Sequence, residues 1–245
     1  MTKLWQRDEQ VDFAACVFSD DHIADEMRDY INPACTDNLL LWGVPGTGKS
    51  VLVKAIASER IHGAAFEDGG VGFLDCKNKQ DAQRLNGKWL DGWFNYAHLQ
   101  TECPILILDE LDELSEAQQR ELTAFVNRSN QGKLKSMIMG TTNVNVFDKK
   151  QCSKSFSDAL LSRMNGKFEI RRLFPEQLLP VAQGKLKRAG VSIEDKVLLD
   201  VFEKNLPMSA KRMDFREVQT VVNKLIRRSS QLPIDRPPKP KFKIV

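Results

Sequence analysis

Four short, almost unbroken apolar runs punctuate the chain at residues 38–42, 71–74, 104–108 and 136–140, and a weaker fifth lies at 167–170. Continuous rather than alternating hydrophobicity marks strands buried on both faces, as in a parallel sheet covered by helices. Residues 49–61 and 116–128 carry helical patterning between the runs, so strands and helices alternate and the fold class is α/β.

After Arg172 the pattern changes to one helix after another, near 176–188, 193–204 and 213–228, which reads as a small helical domain. In the last of these, Phe215, Val218, Val222 and Leu225 recur at three- and four-residue spacing and define a core face. Arg216 lies roughly 100° around the helix from Phe215 and should project away from that face. From Leu232 onward, prolines alternating with basic residues preclude a regular helix and favour an extended tail. The expected organisation is a helical lead-in at 1–37, an α/β core at 38–172, a small helical domain at 173–231 and a basic, proline-rich tail at 232–245. No internal repeat is visible.

A chain of 245 residues with 42% hydrophobic content can bury a sizeable core. Its net charge of +3 is too mild to argue for or against nucleic-acid binding. The five cysteines, Cys16, Cys35, Cys76, Cys103 and Cys152, are odd in number and scattered, which suggests neither a disulfide framework nor a paired metal site. A reducing, cytoplasmic setting is expected. Charged residues follow Trp5 where a signal sequence would have an apolar core, and no segment has the apolar length to cross a bilayer.

The strongest chemical signal is Gly43-Val44-Pro45-Gly46-Thr47-Gly48-Lys49-Ser50, a complete Walker A pattern after a strand and at the start of a helix. Glycines let backbone N–H groups curl around phosphate oxygens, and the helix N-terminus adds positive partial charge. Lys49 would reach the outer phosphates of ATP, and Ser50 would offer a hydroxyl to Mg²⁺. About sixty residues on, Pro104-Ile105-Leu106-Ile107-Leu108-Asp109-Glu110 is an apolar strand ending in two acids. Asp109 would hold Mg²⁺ through water, and Glu110 would polarise the attacking water. Paired acids after a strand can also simply open a solvated loop; the Walker A pattern upstream favours the catalytic reading.

From about Leu39 to Arg228 the chain resembles the AAA+ superfamily of P-loop ATPases, whose paired Walker motifs are similar to these two segments. The resemblance implies a five-stranded parallel sheet of order 5-1-4-3-2 between helices, followed by an all-helical lid. Three further positions match the family pattern. Gly140-Thr141-Thr142-Asn143 resembles the sensor 1 strand, which implies that Asn143 sits between the Walker motifs and contacts the γ-phosphate or the lytic water. Asp158-Ala159-Leu160-Leu161-Ser162-Arg163 resembles the segment carrying the arginine finger in clamp loaders and initiators, so Arg163 would reach the nucleotide of a neighbouring subunit. Met213-Asp214-Phe215-Arg216 stands in the place of sensor 2, making Arg216 a contact to ATP within the subunit. Here Met213 replaces a common glycine, and Arg212 is a rival for the role.

Within the superfamily, Leu111-Asp112-Glu113-Leu114-Ser115-Glu116-Ala117-Gln118-Gln119 and, weakly, Lys3-Leu4-Trp5 resemble the clamp-loader and initiator branch. Protein-threading relatives carry an aromatic pore residue after the second strand, where only Trp89 could serve; Trp89, Trp93, Phe94 and Tyr96 read rather as packing aromatics. Clamp loaders add a helical collar and initiators a DNA-binding domain; neither is read after the lid, so a nearly minimal ATPase module is expected. Basic clusters at Lys185, Lys187 and Arg188, at Lys224, Arg227 and Arg228, and in the tail could grip phosphates or be solvated surface. The resulting expectation is a homo-oligomeric ATPase acting on DNA or a DNA-bound machine, such as a helicase loader, replication accessory factor or transposition regulator. A remodeller of folded clients and a superfamily 3-like helicase, suggested by Thr141-Thr142-Asn143-Val144-Asn145, are the alternatives.

Overall fold

The computed structural model describes residues 12–61, 69–132, 135–206 and 212–231. The Lys3-Leu4-Trp5 segment and the basic tail at 232–245 lie outside the described residues. The chain divides into two compact units, Met1–Leu173 and Phe174–Val245.

Five strands form one parallel sheet in the first unit: β1 (Leu39–Trp42), β2 (Val71–Asp75), β3 (Ile105–Asp109), β4 (Met137–Thr142) and β5 (Gly166–Glu169). Their order is β2-β3-β4-β1-β5, so the expected 5-1-4-3-2 arrangement is found. β1, β3 and β4 are buried along nearly their whole length, and side chains alternate between two hydrophobic layers. Leu39, Leu41, Ile105, Ile107, Met137 and Met139 face α2 (Lys49–Arg60) and the lead-in, which contains α1 (Asp21–Asp29). Leu40, Trp42, Leu106, Leu108 and Ile138 face the other layer. That layer comprises α3 (Lys79–Arg84), α4 (Gly87–Ala97), α5 (Glu116–Gln131), α6 (Lys149–Ser155) and α7 (Asp158–Leu161). A parallel sheet must be covered on both sides, which is why the runs read as continuous rather than alternating.

Arg60, at the end of α2 and only 9% exposed, donates to the backbone carbonyls of Tyr30, Asn32, Pro33 and Cys35. One guanidinium thereby satisfies a stretch of irregular backbone and pins the lead-in to α2. Three of the four aromatic residues of α4 pack: Trp93 is buried, Trp89 stacks on it at 6.3 Å, and Phe94 lies edge-on to Phe125. Tyr96 is exposed.

The second unit contains α8 (Pro175–Arg188), α9 (Asp195–Asn205) and α10 (Phe215–Gln231), packed on one another. On α10 the most buried residues are Val218, Val221 and Val222, whereas Phe215 and Leu225 are half-buried. The face is therefore rotated slightly from the one that spacing alone suggests. Adjacent Val221 and Val222 are both covered because α10 packs on two helices, α8 and α9.

Candidate active site

Parallel strands end together, and the chemistry-bearing residues gather at the C-terminal ends of β1, β3 and β4. Residues 43–48 link β1 to α2. Gly43 has φ 143°, and a Cβ there would meet the Ile170 carbonyl oxygen at 2.3 Å; Gly48 has φ 91° and caps α2 without a side chain. Only glycine adopts such backbone cheaply. The first N–H groups of α2 consequently have no side-chain cap and remain, with the positive end of the helix dipole, for an anion. Thr47 Oγ1 braces the loop by donating to Val44 O at 3.0 Å. Gly46 has φ 85°, and Pro45 beside it contributes a fixed φ. Lys49, only 6% exposed, donates from Nζ to Gly43 O at 2.8 Å, Val44 O at 3.0 Å and Asn143 Oδ1 at 3.0 Å. Its ammonium thus lies over the mouth of the loop and contacts the residue that follows β4.

The acids are tied into the same cluster. Ser50 Oγ donates to Asp109 Oδ1 at 2.7 Å, and Thr141 Oγ1 donates to that same oxygen at 2.5 Å. Thr141 Oγ1 also accepts the Glu110 backbone N–H at 3.1 Å. Glu110 has φ 54° and ψ 54°, the sole non-glycine residue with positive φ among those described. Left-handed backbone costs an ordinary residue about 1–2 kcal/mol, and such strain collects at functional sites. The Glu110 side chain is partly exposed, and Lys77 Nζ lies 3.5 Å from its Oε2. Next along β4, Thr142 Oγ1 donates to Asp112 Oδ1 at 2.7 Å. Cys76, buried beside Asp75 and near Asp109, has its thiol pushed up by desolvation first and by these carboxylates second, so it stays protonated and serves as packing.

The oxygen donors converging on Asp109 suit a hard cation that keeps most of its coordination in phosphate and water, as Mg²⁺ does. Among the described residues no group of three or more His, Cys, Asp or Glu could hold a metal by itself.

Arg163 does not join this cluster. Its backbone carbonyl accepts from Asn38 Nδ2 at 3.0 Å, and the same Asn38 side chain accepts the Ile138 N–H at 2.8 Å. Asn38 immediately precedes β1, so Arg163 is anchored at the N-terminal edge of the sheet, a strand length of about 13 Å from the end where Lys49 and Asp109 lie. Its side chain turns to α5, where Nε donates to Asn127 Oδ1 at 2.6 Å.

Arg216 belongs to the second unit. It is exposed in the first turn of α10, where the Asp214 carboxylate accepts from the N–H groups of Arg216 and Glu217, and the Glu217 carboxylate accepts from the Asp214 N–H. Arg212 instead lies over the ring of Phe174, 4.5 Å from its centroid.

Residues 39–172, more than half the chain, match the model of the ATPase family associated with various cellular activities. The chain belongs to this AAA family. It is a nucleotide-binding ATP hydrolase. A second model, a protein family of unknown function, matches residues 12–65. Among solved structures the AAA chain is similar to AMPPCP-bound DnaA from Aquifex aeolicus, with 18% identity and a TM-score of 0.61 over 89% of this chain and 65% of that one. Domain III of the Thermotoga maritima replication initiation protein DnaA matches with 16% identity and a TM-score of 0.60, over 91% of this chain and 98% of that one. The replication initiator DnaA bound to AMPPCP and single-stranded DNA matches with 19% identity and a TM-score of 0.63, over 91% and 65%. The chain thus spans about two thirds of the length of two of these DnaA chains, and the likeness is one of fold. Among the described residues no helix is long and apolar enough to cross a membrane.

The AAA fold therefore brings Lys49, Ser50, Asp109, Glu110 and Asn143 together. Two contributors carry little signal in the sequence. Thr141 is visible there only as part of the strand-end motif, although a buried hydroxyl in an apolar strand must find partners and is a usable signal. Lys77, just beyond β2, carries no signal of its own, because its pairing with Glu110 depends on β2 and β3 lying side by side.

Proposed function

We propose that the protein is an oligomeric ATPase acting on DNA or a DNA-bound assembly, with ATP and Mg²⁺ held between subunits. Lys49 and the N-terminus of α2 grip the phosphates. Ser50 and Asp109 would hold Mg²⁺, which would supply positive charge against the negative charge that develops in phosphoryl transfer. Glu110 polarises the attacking water, and Asn143, hydrogen-bonded to Lys49, senses the γ-phosphate. Arg216, exposed while its rival Arg212 is occupied by Phe174, contributes from the lid.

The observation that carries the shared-site reading is the position of Arg163, which is far from its own Walker residues and anchored to the opposite edge of the sheet. Such an arginine can act only on a nucleotide that another subunit presents. Supporting the DNA reading, the sequence from Phe174 onward holds 15 Lys and Arg against 8 Asp and Glu, a balance of +7, while the preceding residues hold 21 against 25. Charge concentrated in one unit favours phosphate binding more than the mild overall value indicates. The packing of Trp89 against the core weighs against the client-threading alternative.

The test is ATP turnover by wild type, Arg163→Ala and Glu110→Gln, alone and as mixtures, with and without single- and double-stranded DNA. The reading expects Arg163→Ala to bind ATP without hydrolysing it, the mixture with Glu110→Gln to recover turnover, and DNA to stimulate wild type. Normal hydrolysis by Arg163→Ala would overturn the shared site. Indifference to both forms of DNA would overturn the DNA role.

A further inference from the structure

Arginine can be held in two ways with opposite consequences. A carboxylate that takes the fork formed by Nη1 and Nη2 neutralises the charge and occupies the face an incoming anion would use. A neutral acceptor on Nε holds the group by its neck and leaves the fork and the full charge open.

Arg163 is held by neutral acceptors only, on Nε and on one Nη1 hydrogen, so that Nη2, the other Nη1 hydrogen and the full charge stay open. Asn127, half-buried near the C-terminal end of α5, accepts from Nε at 2.6 Å, and the neighbouring Ser162 hydroxyl accepts from Nη1 at 3.1 Å. Of five N–H donors, two are used; among the described residues no other group bonds the guanidinium and no carboxylate pairs with it. Asn38 fixes the backbone from behind. α7, whose end Arg163 follows, packs on α5, so Asn127 and Arg163 belong to one rigid patch. Long flexible side chains lose substantial rotamer entropy when immobilised, and a side chain already held loses less when it meets its target.

We propose that Asn127 is a positioning residue for Arg163, fixing the plane of the guanidinium so that its unoccupied edge faces the terminal phosphate of a nucleotide bound by the adjacent subunit. This rests on the shared-site reading above. Asn127 touches no nucleotide; it acts through Arg163 and supplies this function to the neighbour's site. Its neutrality is part of the role, because Asp at this position would pair with the cation and compete with the phosphate.

A complementation assay separates this from simple stability. Arg163→Ala chains provide intact Walker residues without a finger, and Glu110→Gln chains provide a finger without turnover of their own. Turnover of the mixture then reports the finger donated by the Glu110→Gln chain. Adding Asn127→Ala to that donor should lower kcat of the mixture about tenfold, the equivalent of about 1.4 kcal/mol, with KM for ATP unchanged. Adding Asn127→Asp should lower it further, while Asn127→Gln, which keeps a neutral carbonyl, should fall between Ala and the unmodified donor. Mixing at several donor ratios and checking that the donor melts as before excludes loss of folded protein as the cause. If the unmodified pair gives no turnover, the shared site fails and this inference with it. If that pair is active and the Asn127→Ala donor is equally active, or if only KM changes, the positioning role of Asn127 alone is overturned.

Discussion

Replacing Thr141 with valine tests whether the strand-end hydroxyl organises the paired acids Asp109 and Glu110. Thr141 is 1% exposed, and its Oγ1 both accepts the Glu110 N–H at 3.1 Å and donates to Asp109. Valine keeps the shape and the β-branch but leaves the Glu110 N–H without that acceptor. An unsatisfied buried donor costs about 1–3 kcal/mol. Glu110 additionally holds a left-handed backbone at about 1–2 kcal/mol, which the same bond helps to support. Should the whole of that 1–3 kcal/mol fall on the transition state, kcat drops about 5- to 150-fold. The phosphate loop and Lys49 are untouched, so KM for ATP and nucleotide affinity should stay near wild type. Steady-state turnover with nucleotide-binding titration measures both quantities, and Thr141→Ser, which restores the hydroxyl, should recover most of the rate. Turnover of Thr141→Val within about threefold of wild type would refute the reasoning, since that difference is under 1 kcal/mol.

Glu110→Gly should abolish hydrolysis while melting above Glu110→Ala by about 1 kcal/mol, because glycine relieves the left-handed strain and alanine retains it; paired melting curves decide this. Asn38→Ala should destabilise the first unit by about 2–4 kcal/mol, since it strands the Ile138 N–H and the Arg163 carbonyl. Denaturant unfolding measures the loss, and a change below about 0.5 kcal/mol, the size of an ordinary surface substitution, would count against the anchor. Arg60→Met should loosen residues 30–35, seen as faster amide exchange there, and Arg60→Lys should fail to restore protection because an ammonium lacks the planar fork that reaches four carbonyls.

Much of the fold was legible because its signals are local. Each apolar run at 38–42, 71–74, 104–108 and 136–140 became a strand, since near-continuous hydrophobicity has few uses other than a sheet covered on both sides. The phosphate loop was equally plain: glycines at Gly43, Gly46 and Gly48 answer to backbone dihedrals set within a few residues. Strand order came from the family resemblance, because periodicity contains no information about which strands become neighbours.

What the sequence by itself determined is therefore the inventory: strands, helices, a phosphate-binding turn, and acids at a strand end. Tertiary structure alone decided which groups meet. Lys77 reaches Glu110 only because β2 lies beside β3 in register, and Thr141 joins Asp109 only because β4 lies on the other side of β3. It also placed Arg163 at the edge of the sheet opposite the Walker residues, through Asn38, a residue 125 positions away. The physical reason is one of range. Backbone propensity and hydrophobic periodicity act over a few residues, whereas hydrogen bonds of about 3 Å between side chains far apart in sequence exist only once packing has fixed the distance.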